Sequence, residues 1–185
     1  APFLHDLRAV KTAAEVEIIR NAVAITKHGL DKVLSNLKPG VKEYELEADL
    51  IGEFTRQRAI MGYEPIVASG KNACTLHYID NNSTCQEGDL LLIDVGASHA
   101  NYTADVTRVF PVSGQFTTRQ KELYMAVLRV LQSSIQRTVI GTTLSQWKWD
   151  AQHQMAGELH TLGLISQEEY KSDSMENPTC KKFFM

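Results

Sequence analysis

Two aspartates, Asp94 and Asp105, are the residues best placed to do chemistry. Asp94 interrupts an apolar run, Leu90-Leu91-Leu92-Ile93-Asp94-Val95. A small, polar stretch, Ala97-Ser98-His99-Ala100-Asn101, comes next. A second run rich in Val, Thr and aromatics, Tyr102 to Phe110, follows and carries Asp105. Two such runs around a turn predict a β-hairpin. Folded about the His99/Ala100 midpoint, it sets position 94 opposite position 105, with Cβ atoms about 5 Å apart on one face. Like charges so placed repel unless something positive lies between them. One divalent metal ion, or a pair, supplies that charge, and carboxylate oxygens are the ligands hard cations prefer. Two plainer readings stand beside this one. An Asp at a strand end also serves as a turn residue or on a solvated face. A register slip of one residue would send the two acids to opposite faces.

The elements that must hold this hairpin are legible from capping and periodicity. Thr12-Ala13-Ala14-Glu15 is a capping box that opens a helix. Val16, Ile19, Val23, Leu30, Val33 and Leu37 recur at helical spacing, and Lys38-Pro39-Gly40 stops the helix. A second helix is predicted from about Lys42 to Arg58, with Leu46, Leu50 and Phe54 on one face. Tyr63 to Gly70 reads as an edge strand entering a turn, and Ala73 to Tyr78 as another short strand. After the hairpin, Thr117-Thr118-Arg119-Gln120 caps a third helix with an apolar stripe of Leu123, Val127, Val130, Leu131 and Ile135. Thr143 to Gln146 caps a fourth, carrying Leu144, Trp147, Ala151, Met155, Leu159 and Leu162.

The helix breaks recur. Gly40 and Gly141 lie 101 positions apart, as do Gly62 and Gly163, and Thr12 and Thr117 lie 105 apart. The order of capped helix, Gly break, second helix and Gly stop therefore occurs twice, which points to an internal duplication. Strands equivalent to those of the first copy would start near position 167 and reach beyond 200, whereas the chain has 185 residues. Thr179 to Met185 reads as the start of such a strand. Two carboxylates are too few for a tight catalytic metal site, so further ligands are expected in the absent stretch.

Composition narrows the classes. Hydrophobic residues at 43% and charged residues at 22% are ordinary for a soluble globular chain of one domain or slightly more. A net charge of −3 gives no reason to expect nucleic acid or an anionic membrane as partner. No apolar run reaches the roughly 18 residues a spanning helix needs. The first residues lack the basic start and apolar stretch of a signal peptide and lack an initiator Met, which reads as an excised or processed piece. Cys74, Cys85 and Cys180 have no metal-like spacing and read as free thiols of a reducing, cytoplasmic compartment.

Three motifs then carry a resemblance: Ile66 to Tyr78 (IVASGKNACTLHY), Asp94-Val95-Gly96-Ala97, and Tyr102 to Gly114 (YTADVTRVFPVSG). The chain resembles the pita-bread metallopeptidases, in the branch of the Xaa-Pro aminopeptidases (aminopeptidase P) and prolidases. The opening stretch Asp6 to Glu15 is similar to the start of that catalytic domain, so the resemblance runs over nearly the whole chain. It implies an α+β pita-bread (creatinase/aminopeptidase) fold in incomplete form. The first α/β half would occupy about 12–114 and the helices of the second half about 117–163, within a partial catalytic domain spanning 1–185. It implies a site for two divalent ions held by two aspartates, one histidine and two glutamates. Asp94 matches the aspartate that holds one metal and Asp105 the one that bridges both. The histidine and both glutamates belong to motifs that this chain lacks, so the isolated piece is expected to be inactive and its metal site empty. His77 matches a family histidine that is not a ligand but donates a hydrogen bond to substrate or to the tetrahedral intermediate. Without the motif it would read as a histidine satisfied inside a strand. Thr107 shares a strand face with Asp105 and is placed to orient that carboxylate, or is there for β-propensity alone. Arg108 alternates away from Asp105.

The resemblance implies an exopeptidase that removes the N-terminal residue before proline, with manganese the best-suited metal and cobalt or zinc as substitutes. Its partner would be a peptide with proline in second position, with no nucleic acid or membrane partner. Half a sheet would leave strand edges and apolar surface open, which predicts self-association, a homo-oligomer among its forms, or poor solubility. The alternatives are a prolidase, a methionine aminopeptidase, a non-catalytic pita-bread binding module and a metal-free creatinase-type hydrolase. Retention of both aspartates argues against the last two, and the His77 and Val106-to-Pro111 motifs fit the proline branch better than methionine aminopeptidase. His5, His28, His99, His153 and His160 show no persuasive ligand spacing, and Asp49 and Glu53 read as a solvated helix face. Trp147 and Trp149 read as core packing. Neither a Gly-rich phosphate loop nor a Ser nucleophile elbow occurs.

Overall fold

The computed structural model describes residues 2–183. The chain divides into two compact units, Ala1–Gln115 and Phe116–Met185. In the first, α1 (Pro2–Ala9) precedes two long helices, α2 (Ala13–Asn36) and α3 (Glu43–Arg56). The capping box at Thr12 and Glu15 forms as the sequence predicts. Short strands β1 (Ile60–Met61) and β2 (Ile66–Ser69) follow, and then β3 (Leu90–Val95), β4 (Ala97–His99), β5 (Tyr102–Thr103) and β6 (Val106–Pro111). They form two three-stranded antiparallel sheets, β2-β3-β6 and β1-β4-β5.

Both sheets share one long hairpin. Its base pairs β3 with β6, and its tip pairs β4 with β5. Pairing keeps one register throughout, from Leu90 opposite Pro111 to His99 opposite Tyr102. The turn is therefore Ala100-Asn101, both at left-handed φ of 48° and 66°. Positive φ at both central residues is what a tight two-residue hairpin turn demands, and Asn tolerates it well. The expected midpoint at His99/Ala100 is displaced by one position. Asp94 thus faces Thr107, not Asp105. That displacement shifts partners by two residues, so Asp105 stays on the face of Thr107 and Asp94, diagonally placed.

Between base and tip the hairpin passes Gly96 and Ala104. A Cβ on Gly96 would collide with the Ala104 carbonyl and come within 3.1 Å of the Tyr63 ring. Only glycine permits this approach. The core lies on one face of β3. Leu91, Ile93 and Val95 are fully buried there against Leu46, Leu50, Phe54, Val33 and Val67. The buried Thr26 hydroxyl ties helix to hairpin, donating to Ala22 O (2.8 Å) and accepting from Ala97 N (2.9 Å). At the tip, the Tyr102 hydroxyl donates to Glu15 (2.5 Å). This hydrogen bond, with those from Thr12, lowers the Glu15 carboxyl to about 2.

The second unit holds α4 (Thr118–Gln136), α5 (Leu144–Thr161) and α6 (Gln167–Lys171), ending in a 3-10 turn at Thr179–Phe183. Two expected strands do not form among the described residues. No strand starts near 167, because Ser166 and Glu169 form a capping box that starts α6 instead. Nor is Thr179–Phe183 extended: the Thr179 N–H donates to Asp173 (2.7 Å) and its hydroxyl to the Glu169 carbonyl (3.1 Å), and Cys180 is buried. Residues 184 and 185 lie outside the described residues. The predicted apolar stripe of α4 is a core face only in part, through Val130 and half-buried Leu123. Ala126, Val130 and Ser134 are buried, whereas Val127, Leu131 and Ile135 are exposed. Trp147 packs through its ring N–H, which donates to the Ser134 carbonyl (2.9 Å). The bidentate pair of Arg129 with Glu158 (2.7 and 2.6 Å) links α4 to α5. No helix among the described residues is long and apolar enough to cross a membrane.

A Gly96→Ala substitution should lower stability by about 1–3 kcal/mol or more, the cost of overpacking against a backbone that cannot yield. A urea unfolding midpoint that falls with an unchanged slope would register it.

Candidate metal centre

The first unit changes sheet at one level along three neighbouring stretches of chain. Residues 62–65 lead from β1 to β2, Gly96 separates β3 from β4, and Ala104-Asp105 separates β5 from β6. The Gly62 N–H donates to the Gly96 carbonyl (2.8 Å), and the Ala104 N–H to the Ala97 carbonyl (3.0 Å). Asp94, Asp105 and Tyr63 all sit at this seam. The Tyr63 hydroxyl lies 2.7 Å from Asp94 Oδ1 and 3.1 Å from Asp105 Oδ1. The two carboxylates therefore converge on one hydroxyl. Asp94 is half-buried and Asp105 exposed. Burial raises the phenol's pKa, and the hydrogen bond and charge of Asp94, then of Asp105, raise it further. Tyr63 is accordingly a proton donor, not a phenolate.

Tyr63 is the residue that reading the sequence missed. The predicted strand from Tyr63 is shorter than expected, since β2 covers only Ile66–Ser69 and Tyr63 lies in the bend before it. Thr107 faces Asp94 across the β3–β6 ladder and is exposed. Arg108 is exposed too, and its guanidinium donates to the Thr107 carbonyl (2.8 Å).

His77 sits elsewhere than expected. The predicted strand over Ala73 to Tyr78 is absent. Gly70–Cys74 forms a 3-10 helix instead, and His77 lies in the following turn, exposed, with φ of 54°. The reason is Glu43, a fully buried carboxylate at the start of α3. It accepts from the Ser69 N–H (2.7 Å), the Ser83 N–H (2.9 Å), the Tyr78 hydroxyl (2.8 Å) and the Asn72 amide (3.1 Å). Both ends and the middle of the loop that carries His77 thus close around one buried acid, not along a ladder. Burial pushes the Glu43 carboxyl up, but these donors together outweigh it and hold its pKa below the ordinary value. Asn81 pins the same loop, accepting from the Val67 N–H (2.9 Å) and donating to the Pro65 carbonyl (2.9 Å).

The remaining histidines form no ligand set. His153 and His160 stack on the Tyr170 ring at centroid distances of 5.8 and 5.4 Å, and His153 Nδ1 is 2.6 Å from Asp173. Among the described residues, no group of three or more His, Cys, Asp or Glu could hold a metal ion. The seam offers two carboxylates whose oxygens are acceptors only, a donor set that suits a hard divalent cation and is incomplete for one. The three cysteines are free thiols, with Cys85 and Cys180 buried and Cys74 exposed.

The profile of metallopeptidase family M24 matches residues 17–175. The chain belongs to this family. It is 36% identical to the Xaa-Pro aminopeptidase of Escherichia coli over 165 residues, covering 89% of this chain and 37% of that protein. It is also 36% identical to the Xaa-Pro aminopeptidase of Haemophilus influenzae, covering 100% of this chain and 43% of that protein. Among solved structures, E. coli aminopeptidase P in complex with substrate superposes with a TM-score of 0.88 at 33% identity, covering 98% of this chain and 40% of that one. Proline aminopeptidase P II from Yersinia pestis gives 0.88 at 33% identity, covering 98% and 41%. The chain thus spans about two fifths of the length of these relatives and has part of a pita-bread fold.

The Glu43 cluster makes a stability prediction. Glu43→Ala leaves buried donors without their acceptor, at about 1–3 kcal/mol for each group stranded. Because the folded carboxyl titrates below its ordinary 4.5, its contribution is complete above that pH and is lost as pH falls through the lowered folded value. The stability gap between wild type and Glu43→Gln should therefore close on acidification, measured by urea unfolding across pH.

Proposed function

We propose that this chain supplies part of the active site of a metal-dependent exopeptidase that releases the N-terminal residue preceding proline. The observation that carries the reading is the meeting of Asp94 and Asp105 at one hydroxyl in a chain of metallopeptidase family M24. The names of the relatives, Xaa-Pro aminopeptidases, support aminopeptidase over dipeptidase action. Asp94 and Asp105 would be among the residues that hold two divalent ions. The remaining ligands, one histidine and two glutamates, would come from polypeptide outside these 185 residues, so this chain alone would be inactive. When bound, the ions supply Lewis acidity that brings a water's pKa toward neutrality and polarises the scissile carbonyl. Manganese suits carboxylate-rich ligation, with cobalt or zinc as substitutes; zinc is the metal in one E. coli relative described as Zn substituted. His77, on the loop that Glu43 closes, would donate a hydrogen bond toward the oxygen that gains negative charge. Thr107, on the strand face of Asp105 and opposite Asp94, would help to orient the Asp105 carboxylate. The substrate would be a peptide with proline second, and free thiols fit a reducing, cytoplasmic setting.

In the complete polypeptide, Asp94→Asn and Asp105→Asn should each abolish metal-dependent release of a residue before proline. His77→Ala should lower kcat by about 10²–10³-fold. Comparing Xaa-Pro with Met-Ala peptides by amino-acid release separates this function from methionine aminopeptidase. Wild-type turnover by either aspartate variant would sink the assignment.

A further inference from the structure

At the seam a single hydroxyl, that of Tyr63, faces two acids. A phenol has one proton. The shorter contact, 2.7 Å to Asp94 Oδ1, is a charge-assisted hydrogen bond, and the 3.1 Å contact to Asp105 Oδ1 shares the same donor. The backbone on both sides of the ring is tied down, and the ring lies against Gly96. The Gly62 N–H, one residue before it, donates to the Gly96 carbonyl (2.8 Å). The glycine at position 96 leaves room for the ring, which a Cβ there would meet at 3.1 Å. Two residues on, Pro65 is buried and its carbonyl accepts from Asn81 (2.9 Å). The chain that carries the phenol is thus held by backbone bonds that do not involve the acids.

We propose that Tyr63 is a positioning residue for the carboxylate pair: its hydroxyl gathers Asp94 Oδ1 and Asp105 Oδ1 at one point and leaves each Oδ2 for a divalent cation. The inference rests on the metallopeptidase reading. Two like charges held close by half a hydrogen bond each remain short of positive charge, which a cation supplies. Partners of this kind orient metal ligands, and their loss typically weakens binding 10–100-fold.

The test uses the complete polypeptide stripped of metal. Mn²⁺ is titrated into wild type and Tyr63→Phe, which keeps the ring and removes only the hydroxyl, with circular dichroism as a check on folding. The expected result is an affinity about 10–100-fold lower in the variant, with an altered electron paramagnetic resonance spectrum of the loaded manganese pair. A tyrosine that merely fills space would leave that spectrum as in wild type. Equal affinity with an unchanged spectrum overturns the inference, as does tighter binding, which would make the phenol a competitor of the cation. Wild type that takes up no Mn²⁺ removes the metallopeptidase reading and this inference with it. Should the variant fail to fold, the ¹³Cζ resonance of Tyr63 in wild type decides: a shift complete at stoichiometric Zn²⁺ supports the assignment, and no shift rejects it.

Discussion

The Ala104 carbonyl lies where any side chain at position 96 would have to be. This one backbone approach lets a hairpin of constant register serve two sheets, with its base in β2-β3-β6 and its tip in β1-β4-β5. The chain segment between β1 and β2 crosses at the same level. Three stretches that change sheet together leave a place where side chains of different strands can meet without the ladder keeping them apart. Asp94, from the end of β3, and Asp105, from the gap before β6, meet there. Inside a regular ladder a diagonal pair would stand farther apart and have no third residue between its carboxylates.

Glu43, a fully buried acid, has the opposite character. Glu43 has all its capacity filled by donors from the loop at 69–83. Four donors around one carboxylate compensate for its removal from water. The two acids at the seam share one donor. A satisfied carboxylate shapes a loop, and an undersatisfied pair is available to bind. A carboxylate thus acts as scaffold at position 43 and as a candidate ligand at positions 94 and 105.

Much of this was readable in the chain. Capping boxes at Thr12 and Thr117 mark where helices start, because the hydrogen bonds involved are local. The hairpin and the face shared by Asp94 and Asp105 were also readable, since a period of two survives an even shift of partners. The turn itself was misplaced by one residue. Ala100 is an unusual occupant of a left-handed position, and Asn101 was the only local clue. His77 was assigned to a strand because Thr75, Leu76 and Tyr78 favour one, but Glu43, more than thirty positions earlier, sets that loop. Tyr63 went unnoticed for the same reason: its partners are 31 and 42 positions away. Of the α4 stripe Val130 is buried, whereas Val127, Leu131 and Ile135 keep the helical period yet stay exposed, which period alone cannot foretell.

Glu15 joins two events far apart in time. Its carboxylate closes the first turn of α2 and also receives the hydroxyl of Tyr102, 87 positions later, at the hairpin tip. On a ribosome adding about 5–20 residues per second, the helix would emerge roughly 4–17 s before its fastener. During that interval α2 has its own cap and α3 to pack on, but not the hairpin tip that carries Tyr102. The unit gains its long-range closure only once the last strands are made, so its cooperativity depends on chain that arrives late.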